Sequence, residues 1–322
     1  MFPRFSRRKF LAGSSGLAVM SLVPVSVEAL FEPMYPPTDL SFFEKPISAG
    51  PAAIRFGYAA IAWGDNDRQA IEEISAVGFR GIQLLSNGLR EFGGKPGALR
   101  ELLHLHDLSF IALSSEEVGI EPGLRAEQIA RCTSHAKFVR DCGGLYLQII
   151  DKRPEGRSVG AADYRQLGTL LTEIGKRSAD MGVTLGYHHH VGSIGEHPDE
   201  IDRVLDASDS RYVKLVLDVA HYFQGGGDPA KAIERHHDRL LYVHIKDVER
   251  KTPASADADP FEFVELGRGR VNLPAVFEAL QKTGFRGWAV VELDNGSRGP
   301  HSPKESAILN KKYIEEKLGY GK

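Results

Sequence analysis

From Ile54 onward the chain alternates between two hydrophobic rhythms. Short runs rich in β-branched and aromatic residues read as strands: Ile54–Ile61, Gly81–Leu85, Ser109–Leu113, Leu145–Ile150, Thr184–His188, Val213–Asp218, Leu241–Ile245 and Trp288–Glu292. Between them, segments such as DRQAIEEISAVG, ALRELLHLHDL, AEQIARCTSHAKFVRDCG and DYRQLGTLLTEIGKRSADMG repeat apolar residues at i, i+3, i+4 and i+7 and end on glycine or Asp-Leu. That period is the mark of amphipathic helix. Asn66 with Gln69 supplies a capping pair for the first of them. Eight such strand–helix units of roughly thirty residues predict an α/β fold, a single closed (β/α)8 TIM barrel over residues 54–322. A doubly wound open sheet is the runner-up. It requires a Gly-rich phosphate turn after the first strand, and GYAAIAWGDND has none.

The first 29 residues break this pattern. Arg4, Arg7, Arg8 and Lys9 form a basic head, an apolar run extends from Phe10 to Val27, and Val27-Glu28-Ala29 resembles a small-residue cleavage site. Ser6 to Ala12, S-R-R-K-F-L-A, matches the twin-arginine export signal. Gly13, Gly16 and Pro24 weaken the alternative of a permanent membrane anchor. The expectation is an exported, periplasmic protein with no stable membrane insertion after signal cleavage. Residues 30–53 carry Pro33, Pro36, Pro37, Pro46 and Pro51 without periodicity, as a linker or a strap over the barrel bottom would. The composition, 42% hydrophobic and 26% charged, is that of a globular chain. Loss of the signal removes four positive charges and one negative, taking the net charge from −3 to −6. That argues against nucleic acid or an anionic membrane as partner. Cys132 and Cys142 fall in one predicted helix, about 15 Å apart at ~1.5 Å per residue, beyond the ~7 Å reach of a disulfide.

Candidate chemistry collects at the strand ends, which in a parallel barrel all open on one face. The sixth strand ends in Asp218, with His221 three residues on; the seventh carries His244, Lys246 and Asp247; the eighth ends in Glu292. The fifth ends in His188, His189 and His190, and alternation along a strand turns His188 and His190 inward and His189 away. Imidazoles and carboxylates converging on one face predict a bound divalent cation. A helix N-cap is the competing explanation for Asp218, but Gly225–Gly227 and Asp228-Pro229 place the next helix start later. An unpaired carboxylate ending the apolar run WAVV is costly to bury, so Glu292 calls for a metal or a cationic partner.

These residues resemble a family. The D-x-x-H of Asp218 and His221, the H-x-K-D of His244 to Asp247 and the V-V-E ending at Glu292 are similar to the sugar phosphate isomerase/epimerase superfamily, the xylose isomerase-like barrels that include tagatose 3-epimerase, inosose dehydratase and endonuclease IV. The resemblance spans about residues 54 to 318, and YHHHVGS (187–193) with IAWGDND (61–67) looks most like inosose dehydratases. It implies one divalent metal ion, Mn2+, Zn2+ or Co2+, on four ligands: His188, or His190 in the alternative register, with Asp218, His244 and Glu292. It also implies substrate contacts at His221 and Arg250. In ketose 3-epimerases the strand-five ligand is a glutamate that doubles as an acid/base group. Histidine here counts against symmetric two-carboxylate epimerisation. The acidic mature chain and the Gln83-Leu84-Leu85 end of strand two count against a nuclease.

The expected reaction is proton abstraction next to a carbonyl through an enediolate, leading to isomerisation, epimerisation or loss of a β-substituent. Glu292 is the first candidate base and His190 the second; Lys246 or His221 can return a proton. Trp63 is placed to stack on a sugar or to pack in the core, and Glu116 or Glu117 to bind hydroxyls. Residues 251–263 form a loop suited to a lid or a partner contact, and Gly267-Arg268-Gly269 a tight turn. No phosphate-binding turn follows the last strands, so the expected partner is an unphosphorylated sugar or cyclitol. A homo-oligomer is compatible with everything above, and a non-catalytic barrel that only binds metal and sugar is the competing class.

Overall fold

A computed structural model describes residues 54–251, 260–294 and 300–320. The expected export signal, the strap and residues 252–259 of the long loop lie outside them. In chain order the strands are β1 (Ile54–Ala59), β2 (Gly81–Leu85), β3 (Ser109–Ser114), β4 (Tyr146–Ile149), β5 (Thr184–His188), β6 (Val213–Asp218), β7 (Leu240–Ile245), β8 (Asp247–Arg250), β9 (Phe261–Val264) and β10 (Gly287–Val291). The barrel runs β1-β10-β7-β6-β5-β4-β3-β2 and closes because β1 pairs in parallel with both β10 and β2. An open sheet is thereby ruled out. The fold is a single (β/α)8 TIM barrel.

The helices are α1 (Asp67–Val77), α2 (Leu89–Phe92), α3 (Pro96–Leu105), α4 (Arg125–Asp141), α5 (Ala161–Ala179), α6 (Pro198–Asp206), α7 (Val219–Gln224), α8 (Pro229–His236), α9 (Leu273–Lys282) and α10 (Pro303–Glu316). Their ends follow local chemistry. Asn66 accepts from the Gln69 amide to open α1, which stops at Gly78 in the left-handed region, φ 102°. Proline, whose missing N–H costs nothing in a first turn, opens α3, α6, α8 and α10.

Alternation along the strands sorts the barrel interior. Ile111, Val216, Tyr242, Trp288 and Val290 pack as one buried cluster in the lumen. A Cβ on Gly81 would lie 2.6 Å from both Ile111 Cδ1 and Trp288 Cζ3, so this strand position is kept bare to admit the indole. Arg55 lays its guanidinium over the Trp288 ring, 4.3 Å from the centroid, at the amino-terminal end of the strands. Moving up the same parity, Tyr242 gives way to His244, Val216 to Asp218, and Val290 to Glu292. An apolar lumen therefore becomes polar at its carboxyl end.

Two elements differ from the sequence expectation. A helix does begin at Asp228-Pro229, but α7 precedes it, starting directly at Val219 with Asp218 as its N-cap. The capping role and the site role of Asp218 coexist, because a carboxylate has two oxygens. The long loop after β7 contains an antiparallel hairpin of β8 and β9. Gly267-Arg268-Gly269 makes the expected tight turn, wrapped around the Asp247 carboxylate.

Candidate metal centre

Four strand ends deliver four side chains to one point. His188, Asp218, His244 and Glu292 each offer a ligand atom, and those atoms lie within 4.8 Å of one another in the buried top of the lumen. The Asp218 carboxylate is divided. Its Oδ1 accepts from the Ala220 and His221 amides at 2.9 Å each, while Oδ2 has no hydrogen-bond donor and faces His244 Nδ1 at 3.5 Å. His244 Nε2 donates to Gln83 Oε1 (2.8 Å), which leaves Nδ1 as a bare acceptor. His188 Nδ1 is also buried without a partner. Burying one unsatisfied polar atom costs about 1–3 kcal/mol. Two such nitrogens, on His188 and His244, facing an Asp218 oxygen that the Lys246 ammonium approaches at 3.3 Å and beside the Glu292 carboxylate, fit a cation.

Protonation agrees. Burial, with His244 as the next cause, holds His188 far below the usual histidine range, hence neutral. Burial would raise Asp218, but Lys246, His221 and His244 outweigh it and keep the carboxyl well below its ordinary range. Neutral imidazole and ionised carboxylate are the forms that bind metal. Two nitrogens and two oxygens suit Mn2+, Zn2+ or Co2+.

Lys246 sits beside this set with no exposed surface. Its ammonium donates to Glu292 Oε1 (2.7 Å) and Asp294 Oδ2 (2.9 Å) and lies 3.3 Å from Asp218 Oδ2 and 3.4 Å from His221 Nε2. Burial pulls the ammonium down, yet Asp218, Asp294 and Glu292 together hold it above the ordinary lysine value. Glu292 is opposed by burial and lowered by His244 and Lys246; its Oε2 accepts from Gln83 (3.3 Å). Both oxygens of Glu292 are therefore already engaged.

A second layer stands further out. His190, His221 and Asp294 form another group whose ligand atoms lie within 4.8 Å. The ring centroids of His190 and His221 lie 3.7 Å apart, with the planes tilted by 45°. His190 Nδ1 meets the Val191 carbonyl at 2.8 Å, so that nitrogen carries the proton and Nε2 is the basic one. Of the two readings of strand five, the geometry brings His188 into the four-residue set and His190 into this outer one. His189 points away, as expected. Its Nε2 accepts from the Asp218 amide (3.2 Å), and burial lowers it to about 3. Burial raises Asp294, and its Oδ1 has no partner. Phe263 of β9 covers the layer, 4.6 Å from the Lys246 ammonium and 5.4 Å from the His221 ring.

Three residues expected to touch substrate stand elsewhere. Trp63 is 8% exposed, packs edge-on against Tyr58 and donates its indole N–H to Glu73 of α1 (2.7 Å), so it belongs to the layer between barrel and helices. Glu116 pairs at the surface with Arg131 (3.5 Å). Arg250 is exposed on β8. The resemblance carried Arg250 by its distance from His244 along the chain; here it pairs with Phe261 across the hairpin and lies outside the two clusters. Gln83 and Asp294 went unassigned in the sequence. Each had a signal: Gln83 is the polar residue inside GIQLL, and Asp294 shares strand parity with Glu292.

The xylose isomerase-like TIM barrel family matches residues 71–316, most of the chain. The chain belongs to that family. It is an enzyme of this family, and its relatives carry matching names. It is 29% identical over 286 residues to the rhizopine catabolism protein MocC of Rhizobium meliloti, covering 77% of this chain and 84% of that one. It is 26% identical over 297 residues to an inosose dehydratase of Lacticaseibacillus casei, covering 81% and 96%. Among solved structures, the IOLI protein with a bound zinc atom superposes with a TM-score of 0.69 at 18% identity, over 82% of this chain and 97% of that one. That last likeness is one of fold.

Proposed function

We propose that the chain is a divalent-metal-dependent lyase or isomerase that removes a proton next to the carbonyl of an unphosphorylated cyclitol ketone or keto-sugar, with dehydration as the favoured outcome. The observation that carries this reading is the buried set of two histidines and two carboxylates, with a bare acceptor nitrogen on each imidazole. The inosose dehydratase relatives support the substrate class.

His188, Asp218, His244 and Glu292 would hold the cation. A divalent cation there supplies Lewis-acid polarisation of a carbonyl and its neighbouring hydroxyl. His190 Nε2, basic and only half-buried, takes the α-proton. Glu292, engaged through both oxygens, serves better as a ligand than as the base. The Lys246 ammonium stays charged and stabilises the negative charge that develops on substrate oxygen. The Asp294 carboxyl, raised by burial and free at Oδ1, protonates the departing hydroxyl. His221 accepts from Lys246 and packs against the His190 ring, orienting the base. A base and an acid of different type fit elimination better than symmetric epimerisation.

The test uses the purified chain stripped by chelator and reloaded with Mn2+, Zn2+ or Co2+. It is incubated with scyllo-inosose and a panel of unphosphorylated keto-sugars in D2O and followed by NMR. Metal-dependent deuterium uptake beside the carbonyl, or loss of water, is expected. Bound metal and bound sugar without exchange would point to a barrel that only binds, and no bound metal would overturn the ligand assignment. We also propose export by the twin-arginine route, supported by Ser6–Ala12. The pair Arg7→Lys with Arg8→Lys should leave the precursor in the cytoplasm, and normal export of that variant would refute it.

A further inference from the structure

We infer that Gln83 is a positioning residue that selects which nitrogen of His244 faces the metal and anchors Glu292 beside it. This rests on the reading of His188, Asp218, His244 and Glu292 as ligands. Gln83 lies on β2, outside the strands that carry those ligands, and is 2% exposed. Its carboxamide makes three contacts. Oε1 receives His244 Nε2–H (2.8 Å) and lies 3.1 Å from the Tyr242 hydroxyl, while Nε2 donates to Glu292 Oε2 (3.3 Å). The reversed amide would turn its oxygen on the Glu292 carboxylate, which can only accept. The surroundings therefore fix one orientation.

That orientation decides a tautomer. Oε1 can only accept, so the His244 tautomer that fits it carries its proton on Nε2. Nδ1 then presents a lone pair toward Asp218 Oδ2, 3.5 Å away, and neither atom has a hydrogen-bond partner. Without Gln83 the other tautomer is favoured, because Nδ1–H can donate to the Asp218 carboxylate in a charge-assisted bond. Such a bond consumes two acceptor atoms that a cation needs. Gln83 thus keeps the metal-free site in its receptive form. A deeper chain supports it: the one Tyr242 hydroxyl proton is shared between Gln83 Oε1 and Gln148 Oε1, and Gln148 Nε2 donates to Ser114 Oγ (3.1 Å).

Gln83→Leu removes both bonds, and Tyr242→Phe removes only the hydroxyl that helps aim the amide. Two readouts apply to each: divalent-metal affinity by chelator competition, and the His244 tautomer in the metal-free protein by long-range 15N–1H correlation of the imidazoles. Gln83→Leu should weaken metal binding by about 10–100-fold, the usual effect of losing a ligand's hydrogen-bond partner, and move the His244 proton toward Nδ1. Tyr242→Phe should shift both in the same direction by less. Wild-type affinity together with an unchanged Nε2–H tautomer in Gln83→Leu would overturn the inference. If that variant does not fold, an unchanged tautomer in Tyr242→Phe overturns it instead. A wild-type protein that binds no divalent metal would sink the ligand assignment, whereas the metal-free tautomer would still decide what Gln83 does.

Discussion

Lys246 shows how charge is arranged at the scale of one residue. Its ammonium is ringed by Asp218, Glu292 and Asp294. With Asp218 and Glu292 ionised and Asp294 holding its proton the group carries a net charge of −1, which favours a bound cation. Lys246→Met removes the only fixed positive charge there and leaves buried carboxylates opposed to each other. Breaking a buried ion pair in this way costs about 3–5 kcal/mol. The metal-free variant should therefore lose about that much stability in urea titrations, and added metal should recover part of it; an unchanged midpoint in the metal-free state would contradict the arrangement. Because the same ammonium contacts both His221 and Asp294, it stands where a second cation would go, and metal analysis of the wild type should return one equivalent per chain.

At the scale of the element, the β8–β9 hairpin is held by one carboxylate. Asp247 accepts from the amides of Val248 and Val271 through Oδ1 and of Gly267 and Gly269 through Oδ2, all at 2.9–3.0 Å. A Cβ on Gly269 would fall 2.3 Å from Asp247 Oδ1, so the turn needs that glycine. Asp247→Asn converts one acceptor into a donor facing N–H groups. It should cost about 1–3 kcal/mol and raise hydrogen exchange at Gly267, Gly269 and Val271; wild-type exchange at those amides would count against the account. The hairpin carries Phe263, so the same change loosens the cover over Lys246. The eight barrel strands and most helices were legible because each repeats its own period locally. The hairpin and α7 were not. The charged DVER of β8 lacks the apolar run that marks the barrel strands and a helix of six is too short to show a period, and the amide that completes the Asp247 cradle comes from 24 residues away.

For the whole molecule, three buried neutral histidines couple stability to pH. Burial lowers His188 and His221 well below the ordinary histidine value and brings His189 from 6.5 to about 3. As pH falls below 6.5 toward 3 the unfolded chain takes up protons that the native chain refuses, so stability is lost through that window. Each such group contributes up to ~1.4 kcal/mol per pH unit. Urea unfolding of the metal-free protein should show a markedly lower free energy at pH 5 than at pH 7.5, and equal values would refute the neutral burial of these rings.

By itself the sequence determined the barrel and put Asp218, His244 and Glu292 at strand ends, with His188 and His190 left as alternatives on β5, because strand parity and strand ends are local properties of a chain. Only the tertiary structure decided which atoms meet. Gln83 and Glu292 are 209 positions apart and touch solely because the barrel closes. His188 rather than His190 enters the inner set because β5 ends at His188 and the chain turns after it. Trp63 and Glu116 lie at the same end of the barrel, yet each is claimed by a nearer partner, while Arg250 is exposed there. A side chain's neighbours are settled by competition for one shared volume, and no local period records that competition.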